Sequence, residues 1–219
     1  MKVFNRLPQH IGIIPDGNRR WAQNKGLAKQ EGYAFGIQPG FEVYDLCLAL
    51  GVQEMTFYGF TGDNVKRPSV QVKAIQNACV GAVEGLAHRD ADLLVVGNTE
   101  SPVFPKSLLP FSKRTRFGNG LMKVNFLVNY DWNWDLNCSL RSRDSESNYN
   151  ITQGIASSGI SRIDLILRWG GGRRLSGFLP IQSVYADFYV LDEMWPDYNI
   201  EQVYRALDWY QDQDITLGG

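Results

Sequence analysis

The sequence predicts an α/β protein: a single domain over residues 1–219, with a mostly parallel central sheet flanked by helices. Two observations carry this. Short runs rich in β-branched and aromatic residues alternate with segments of helical spacing, and several of those runs are apolar at successive positions. A strand apolar on both faces must be covered on both, which is the condition of a parallel sheet between helix layers. The chain has 219 residues, 44% of them hydrophobic, so it is long and apolar enough for one such core.

The elements follow in order. Strands are expected at 11–14, 55–60, 93–96, 124–128 and 163–167, each bounded by turn signals, with a further strand at 188–190. A helix near 36–50 gathers Phe41, Tyr44, Cys47 and Leu48 on one side. A second near 69–88 gathers Val72, Ile75, Cys79, Val83 and Leu86, and a third near 200–212 carries Val203, Leu207 and Tyr210. Residues 141–161, rich in Ser, Asn and Gly, read as a mobile loop. Ligands of such sheets gather beyond the carboxyl ends of the strands, so the chemistry is expected there.

Composition narrows the function. Lys plus Arg (22) nearly balances Asp plus Glu (23), and a net charge of −1 offers no global field for a nucleic acid. Any anion site must therefore be local. Cys47, Cys79 and Cys138 lack CxxC spacing and read as reduced, mostly buried thiols, while two histidines argue against a histidine metal site or triad. With no apolar leader and no run of membrane-spanning length, a soluble, cytoplasmic protein is expected, one able to visit a membrane surface transiently for a greasy substrate.

Three strand ends concentrate charge. In "HIGIIPDGNRRWAQNKG", residues 10–26, Asp16 leaves the first strand, Gly17-Asn18 makes a turn, and Arg19-Arg20 follows. A helix starting there would aim backbone N–H groups and the Arg20 guanidinium at one place, a cradle for diphosphate. Asp16 has the wrong sign for phosphate but suits a Mg²⁺ bridging diphosphate oxygens. A plain capped turn with a surface ion pair explains the same residues. In "DLILRWGGGRRLSGF", residues 164–178, Arg168 ends a strand, and three glycines, Arg173, Arg174 and Ser176 complete a second anion pocket or a flexible basic loop. In "FYGFTGDNVKRP", residues 57–68, Asn64 and Arg67 can bind substrate or cap the next helix. Asp187, in "QSVYADFYVLDEMWPDY", reads as a second metal ligand or as an ordinary carboxylate on an edge strand.

In this order the stretches resemble the cis-prenyltransferase family, which includes undecaprenyl diphosphate synthase. Its motifs H-x-x-(I/M)-x-DGN-x-RWA, Y-x-F-S-x-EN-W-x-RP, DL-x-IR-x-(S/G)GE-x-R-(L/I)-SNF, Q-x-x-Y-x-E and WPD(F/Y) find "HIGIIPDGNRRWA", "YGFTGDNVKRP", "DLILRWGGGRRLSGF", "QSVYAD" and "WPDY" here, over roughly residues 8–200. The resemblance implies a homodimeric α/β fold with a hydrophobic substrate tunnel, and transfer of an allylic diphosphate's prenyl group to a second small-molecule acceptor. It implies Asp16, Asn18 and Asn64 as catalytic residues, with Asp16 holding Mg²⁺ and the donor diphosphate and Gly17, Asn18, Arg20 and Lys29 around that diphosphate. It implies Trp21, Tyr33 and Arg67 as substrate-binding residues, Arg168, Arg174 and Ser176 on the acceptor diphosphate, and Asp187 as a metal ligand.

The departures are concentrated at the sites, while Asp16, Asn18 and Arg20 on the donor side are intact. Gly172 replaces the Glu of GGE, Asp187 shortens a Glu, Val65 replaces a Trp, Gly62 a Ser, Tyr33 a His and Lys29 an Arg. The end reads "DQDITLGG" without the family's terminal arginines. The expectation is prenyl transfer from a short donor of dimethylallyl or geranyl class to an atypical acceptor. That acceptor is a second dimethylallyl diphosphate (head-to-middle coupling) or an electron-rich aromatic. A regular short-chain Z-prenyl diphosphate synthase using isopentenyl diphosphate, and a non-catalytic partner subunit, are the alternatives. Bulky Phe35, Phe41, Tyr44, Val72 and Ile75 suggest a tunnel closed early.

Overall fold

A computed structural model describes residues 2–141 and 150–214. Its seven strands are β1 (His10–Ile14), β2 (Glu54–Thr61), β3 (Ala91–Val96), β4 (Thr115–Arg116), β5 (Met122–Tyr130), β6 (Leu165–Arg168) and β7 (Asp187–Val190), ordered β4-β3-β5-β2-β1-β6-β7. Every neighbouring pair is parallel except β3–β4. All six expected strands are present, and β4 is an addition. The helices are α1 (Asn18–Asn24), α2 (Gly32–Phe35), α3 (Ile37–Leu50), α4 (Ser69–Leu86), α5 (Trp132–Arg141), α6 (Ile151–Gly154) and α7 (Ile200–Gln211).

Strand alternation sorts the core onto two faces. Ile11, Ile13, Met55, Phe57, Leu93, Val95, Val124, Phe126, Leu165 and Leu167 pack beneath α3, α4 and α7. Ile14, Tyr58, Leu94, Val96, Leu127 and Ile166 face the other way, onto Ile160, Ile163, Phe178 and Leu179. Gly12 also faces that second layer, where a Cβ would stand 2.6 Å from the Phe178 ring. Between Tyr58 and Thr61 the β2–β5 register slips in a bulge, which turns the end of β2 toward the site.

The segment read as a loop is structured in its described part. Asp135, buried on α5, accepts from the Tyr130 hydroxyl (2.8 Å), the Ser157 backbone N–H (2.9 Å) and the Ser157 hydroxyl (2.6 Å), while Gln182 donates to Ser157 Oγ (2.9 Å). Hydrogen bonds, together with the buried Ile155 and Ile160, hold this polar stretch down. Residues 142–149 of that expectation, and 215–219 of the terminal motif, lie outside the described residues. Cys47 and Cys79 are buried thiols, pushed up to about 12 by burial, and so stay protonated; Cys138 is half-buried.

Candidate active site

Four parallel strands bring their carboxyl ends to one rim. β1 delivers Asp16, β2 delivers Thr61 and the turn to Asn64, β5 delivers Asp131, and β6 delivers Arg168. Behind the rim lies a cavity of about 780 Å³. Its mouth is polar, lined by Asp16, Asn18, Arg20, Lys29, Arg67 and Arg168, and its interior is apolar, reaching Phe57, Ile75, Cys79, Leu86 and Phe126. The interior runs between the sheet and helices α3 and α4. At its far end the Phe41 ring packs on Gly85, and the Arg89 guanidinium lies over that ring at 4.9 Å.

Asp16 is the electrostatic centre of the mouth. Its Oδ1 accepts from the Gly17 backbone N–H at 2.6 Å and faces Arg20 Nη2 at 3.6 Å; its Oδ2 accepts from Arg168 Nη2 at 3.0 Å. Gly17 has φ 104°, a turn that a side chain would strain, and a Cβ there would also meet Met194. Arg20 donates to the Gly170 carbonyl at 2.8 Å, tying the two anion clusters together. The Arg168 side chain is only 4% exposed, and its Nη1 donates to Ser176 Oγ at 2.9 Å and to the Arg174 carbonyl. Ser176 is held at φ 54°, and its carbonyl accepts from the Tyr58 hydroxyl at 2.8 Å. Burial pushes the Tyr58 phenol well up, and the Asp131 and Asp63 charges add to it, so Tyr58 is a neutral donor.

Most expected site residues meet in this cavity: Asp16, Gly17, Asn18, Arg20, Lys29, Tyr33, Asn64, Arg67, Arg168, Arg174 and Ser176 all line it. Tyr33 accepts from Arg67 Nη1 at 2.6 Å, which fixes that arginine at the rim. Asn64 lines the wall while its side-chain oxygen accepts from the Thr61 N–H, in a reciprocal cap with the Thr61 hydroxyl. Helix α1 has only seven residues, so charged side chains rather than a helix dipole supply the positive field.

Two expected site residues lie outside this cavity. Trp21 is not in the cavity wall: its indole N–H donates to Asp197 at 2.7 Å and its ring packs on Phe35, which pins α1 to the WPD segment. Asp187 does not join Asp16 within one chain. It begins β7 in register with Leu165, at the opposite end of the strand pair from Arg168, and its carboxylate faces Arg6 at 4.0 Å. Of the bulky tunnel residues, Phe41 and Ile75 line the cavity, whereas Tyr44 and Val72 pack in the core and Phe35 is exposed. Val65 is exposed outside the wall.

The sequence reading missed Asp131 and Trp132, which line the cavity immediately after β5. Asp131 accepts from the Asn133 and Trp134 backbone N–H groups at 2.9 and 3.0 Å, and Trp132, 47% exposed, packs on Gly177. Their signal was positional: "NYDWN" leaves a strand at the same end as the three motifs. Among the described residues no three His, Cys, Asp or Glu side chains cluster to hold a metal. One half-exposed carboxylate ringed by arginines suits a Mg²⁺ that arrives with diphosphate oxygens, since Mg²⁺ is commonly held by one or two carboxylates plus substrate phosphate.

Comparison with known proteins identifies the family. Residues 14–218 match the family model described as putative undecaprenyl diphosphate synthase. An isoprenyl transferase of Thermus thermophilus is 31% identical, over 97% of this chain and 89% of its own. A ditrans,polycis-undecaprenyl-diphosphate synthase ((2E,6E)-farnesyl-diphosphate specific) of Vibrio parahaemolyticus is 27% identical, over 97% and 91%. In fold, the chain matches the crystal structure of lavandulyl diphosphate synthase from Lavandula x intermedia, in complex with dimethylallyl diphosphate, with TM-score 0.81, 22% identity, and 97% and 98% of the two chains covered. A carboxylate and arginine mouth over an apolar cavity, on this fold and with these relatives, makes the chain a prenyltransferase belonging to the undecaprenyl diphosphate synthase, or cis-prenyltransferase, family.

Proposed function

We propose that the chain transfers a short allylic prenyl group, of dimethylallyl or geranyl class, to an atypical acceptor, and that a second dimethylallyl diphosphate coupled head-to-middle is the leading candidate. One observation carries the acceptor part. The Arg168 guanidinium lies against Gly172, 2.6 Å from where a Cβ would stand, so the place of the family's glutamate is filled by a cation. The cavity wall offers Arg168, Arg174 and Ser176 to a diphosphate and also includes Asp131 and Trp132. A cavity of about 780 Å³, on the scale of one drug-sized ligand and closed by Phe41, supports short substrates over a long polyprenyl chain.

In this reading Asp16, Arg20, Lys29 and the Gly17 turn bind the donor diphosphate. The donor C–O bond breaks with its electron pair leaving on diphosphate, the acceptor double bond supplies the new C–C bond, and a proton leaves a carbon beside the resulting cation. A Mg²⁺ held by Asp16 and the diphosphate would neutralise the leaving group's charge. The apolar interior excludes water from the carbocation, and Trp132, Tyr58 and Tyr130 offer it π faces. Two copies are expected to form a two-fold dimer through the segment after "WPDY" and the helices bordering the tunnel. Sedimentation as a monomer would argue against that.

The test is a product assay with Mg²⁺ and dimethylallyl diphosphate, with and without isopentenyl diphosphate, read by mass spectrometry after dephosphorylation. A C10 product from dimethylallyl diphosphate alone is the expected outcome. A Z-configured chain formed only with isopentenyl diphosphate would overturn the acceptor assignment. Release of dimethylallyl alcohol and diphosphate before any phosphatase is added, with no coupled product, would redirect the acceptor to a non-isoprenoid ring.

A further inference from the structure

Gly172 differs from the two glycines before it. Gly170 and Gly171 have φ of 80° and 70°, so their backbone calls for glycine. Gly172 has no such φ, and an L side chain suits its backbone. What it lacks is room. A Cβ at Gly172 would stand 2.6 Å from Nε and from Nη2 of Arg168, and 2.7 Å from Cζ. The guanidinium therefore occupies the volume that a side chain at this position would take.

From that place Arg168 spans two subsites. One nitrogen reaches Asp16 Oδ2 at 3.0 Å and another reaches Ser176 Oγ at 2.9 Å, while the buried Nε has no acceptor. With Gly17 N–H and Arg20 on the other oxygen, both oxygens of Asp16 already face donors. A divalent cation approaching alone must detach a guanidinium from Asp16 and then sit beside two of them, with no anion to offset the repulsion. A diphosphate changes both conditions. It gives Arg168 a new acceptor, the idle Nε included, and it brings its own negative charge.

We propose that Gly172 is a positioning residue that makes diphosphate binding a precondition for metal binding: by lacking a Cβ, it admits the Arg168 guanidinium to Asp16, which then stays closed to a metal until a diphosphate draws the arginine away. The proposal rests on the reading of Asp16 as the metal-holding carboxylate. It gives the loss of the family's glutamate a consequence on the donor side, far away in sequence but one ion pair away in space.

The experiment titrates the full chain with Mn²⁺ alone, with no diphosphate present, and follows free Mn²⁺ by electron paramagnetic resonance. Gly172→Ala is the variant of choice, because the atoms it displaces are the free end of an arginine. It should bind Mn²⁺ about tenfold more tightly than wild type, within the usual range of coupling between sites. Arg168→Gln removes the guanidinium without adding bulk at 172 and should give a similar gain. No gain in either variant overturns the proposal, and a gain in Arg168→Gln alone overturns the part given to Gly172. Adding Asp16→Asn to Gly172→Ala should cancel the gain. If the gain survives, the ion is held elsewhere, and the failure belongs to the assignment of Asp16 rather than to the ordering.

Discussion

At the scale of single residues, Asp16 and Arg168 hold unequal positions. Asp16 is reachable from the cavity, whereas Arg168 is buried and keeps a donor without an acceptor. A buried N–H left unpaired costs about 1–3 kcal/mol, a cost that an incoming anion can relieve. Asp16→Ala should therefore lower kcat by about 10²-fold or more, as expected when charge stabilisation of a leaving group is lost. The variant should still fold, because Arg168 keeps Ser176 Oγ and the Arg174 carbonyl as acceptors. Steady-state kinetics beside a thermal melt check both parts. If the chain served only as a support for another subunit, Asp16→Ala would leave the partner's activity intact.

At the scale of elements, legibility followed the kind of burial. β1, β2, β3, β5 and β6 were readable because strands covered on both faces show apolar residues at successive positions. α3 and α4 were readable because their buried residues recur at helical spacing. α5 was not readable, since its buried positions include Asp135 and Ser139, four apart but polar, held by hydrogen bonds to other segments. β4, two residues long, carries no periodic signal at all. The three motifs marked one rim correctly in the case of Asp16 and Arg168. Asp187 lies at the other end of its strand, because a motif tells which strand a residue belongs to more readily than which end of it. The element-scale prediction concerns α3: Phe41→Ala should open the far end of the cavity toward Arg89 and favour a donor one isoprene unit longer. A fall in KM for geranyl relative to dimethylallyl diphosphate would show it, and an unchanged ratio would place the limit elsewhere along the wall.

At the scale of the whole molecule, the two ends of the sheet have different tasks. The carboxyl ends hold the arginines and carboxylates of the site. The amino ends are closed by a polar network in which His10 Nδ1 donates toward the Ser161 and Arg162 carbonyls (3.1 and 3.2 Å) and Nε2 accepts from the Thr56 hydroxyl at 2.8 Å. Asn125 donates to Thr56 and Glu54, and Arg114 donates to Asn125 at 2.7 Å. Burial lowers the pKa of His10 from its ordinary 6.5, against the opposing charges of Glu54 and Asp164. A lowered histidine is neutral in the fold and takes up its proton more readily when unfolded. Its contribution to stability is therefore complete above about pH 6.5 and declines as the pH falls below it. Urea titrations from pH 8 to pH 5 should show that decline in wild type and a flatter profile in His10→Gln. Among the described residues no helix is long and apolar enough to cross a membrane.

That separation of ends has a consequence for how such a chain can change over generations. The cavity mouth is built on turns after Ile14, Thr61, Tyr130 and Arg168, at the opposite end of the sheet from the His10 and Glu54 network. A lineage can then accumulate changes such as Gly172 one at a time, each tried on an intact scaffold. Libraries confined to those four turns should yield new product profiles at a higher rate than libraries spread along the chain.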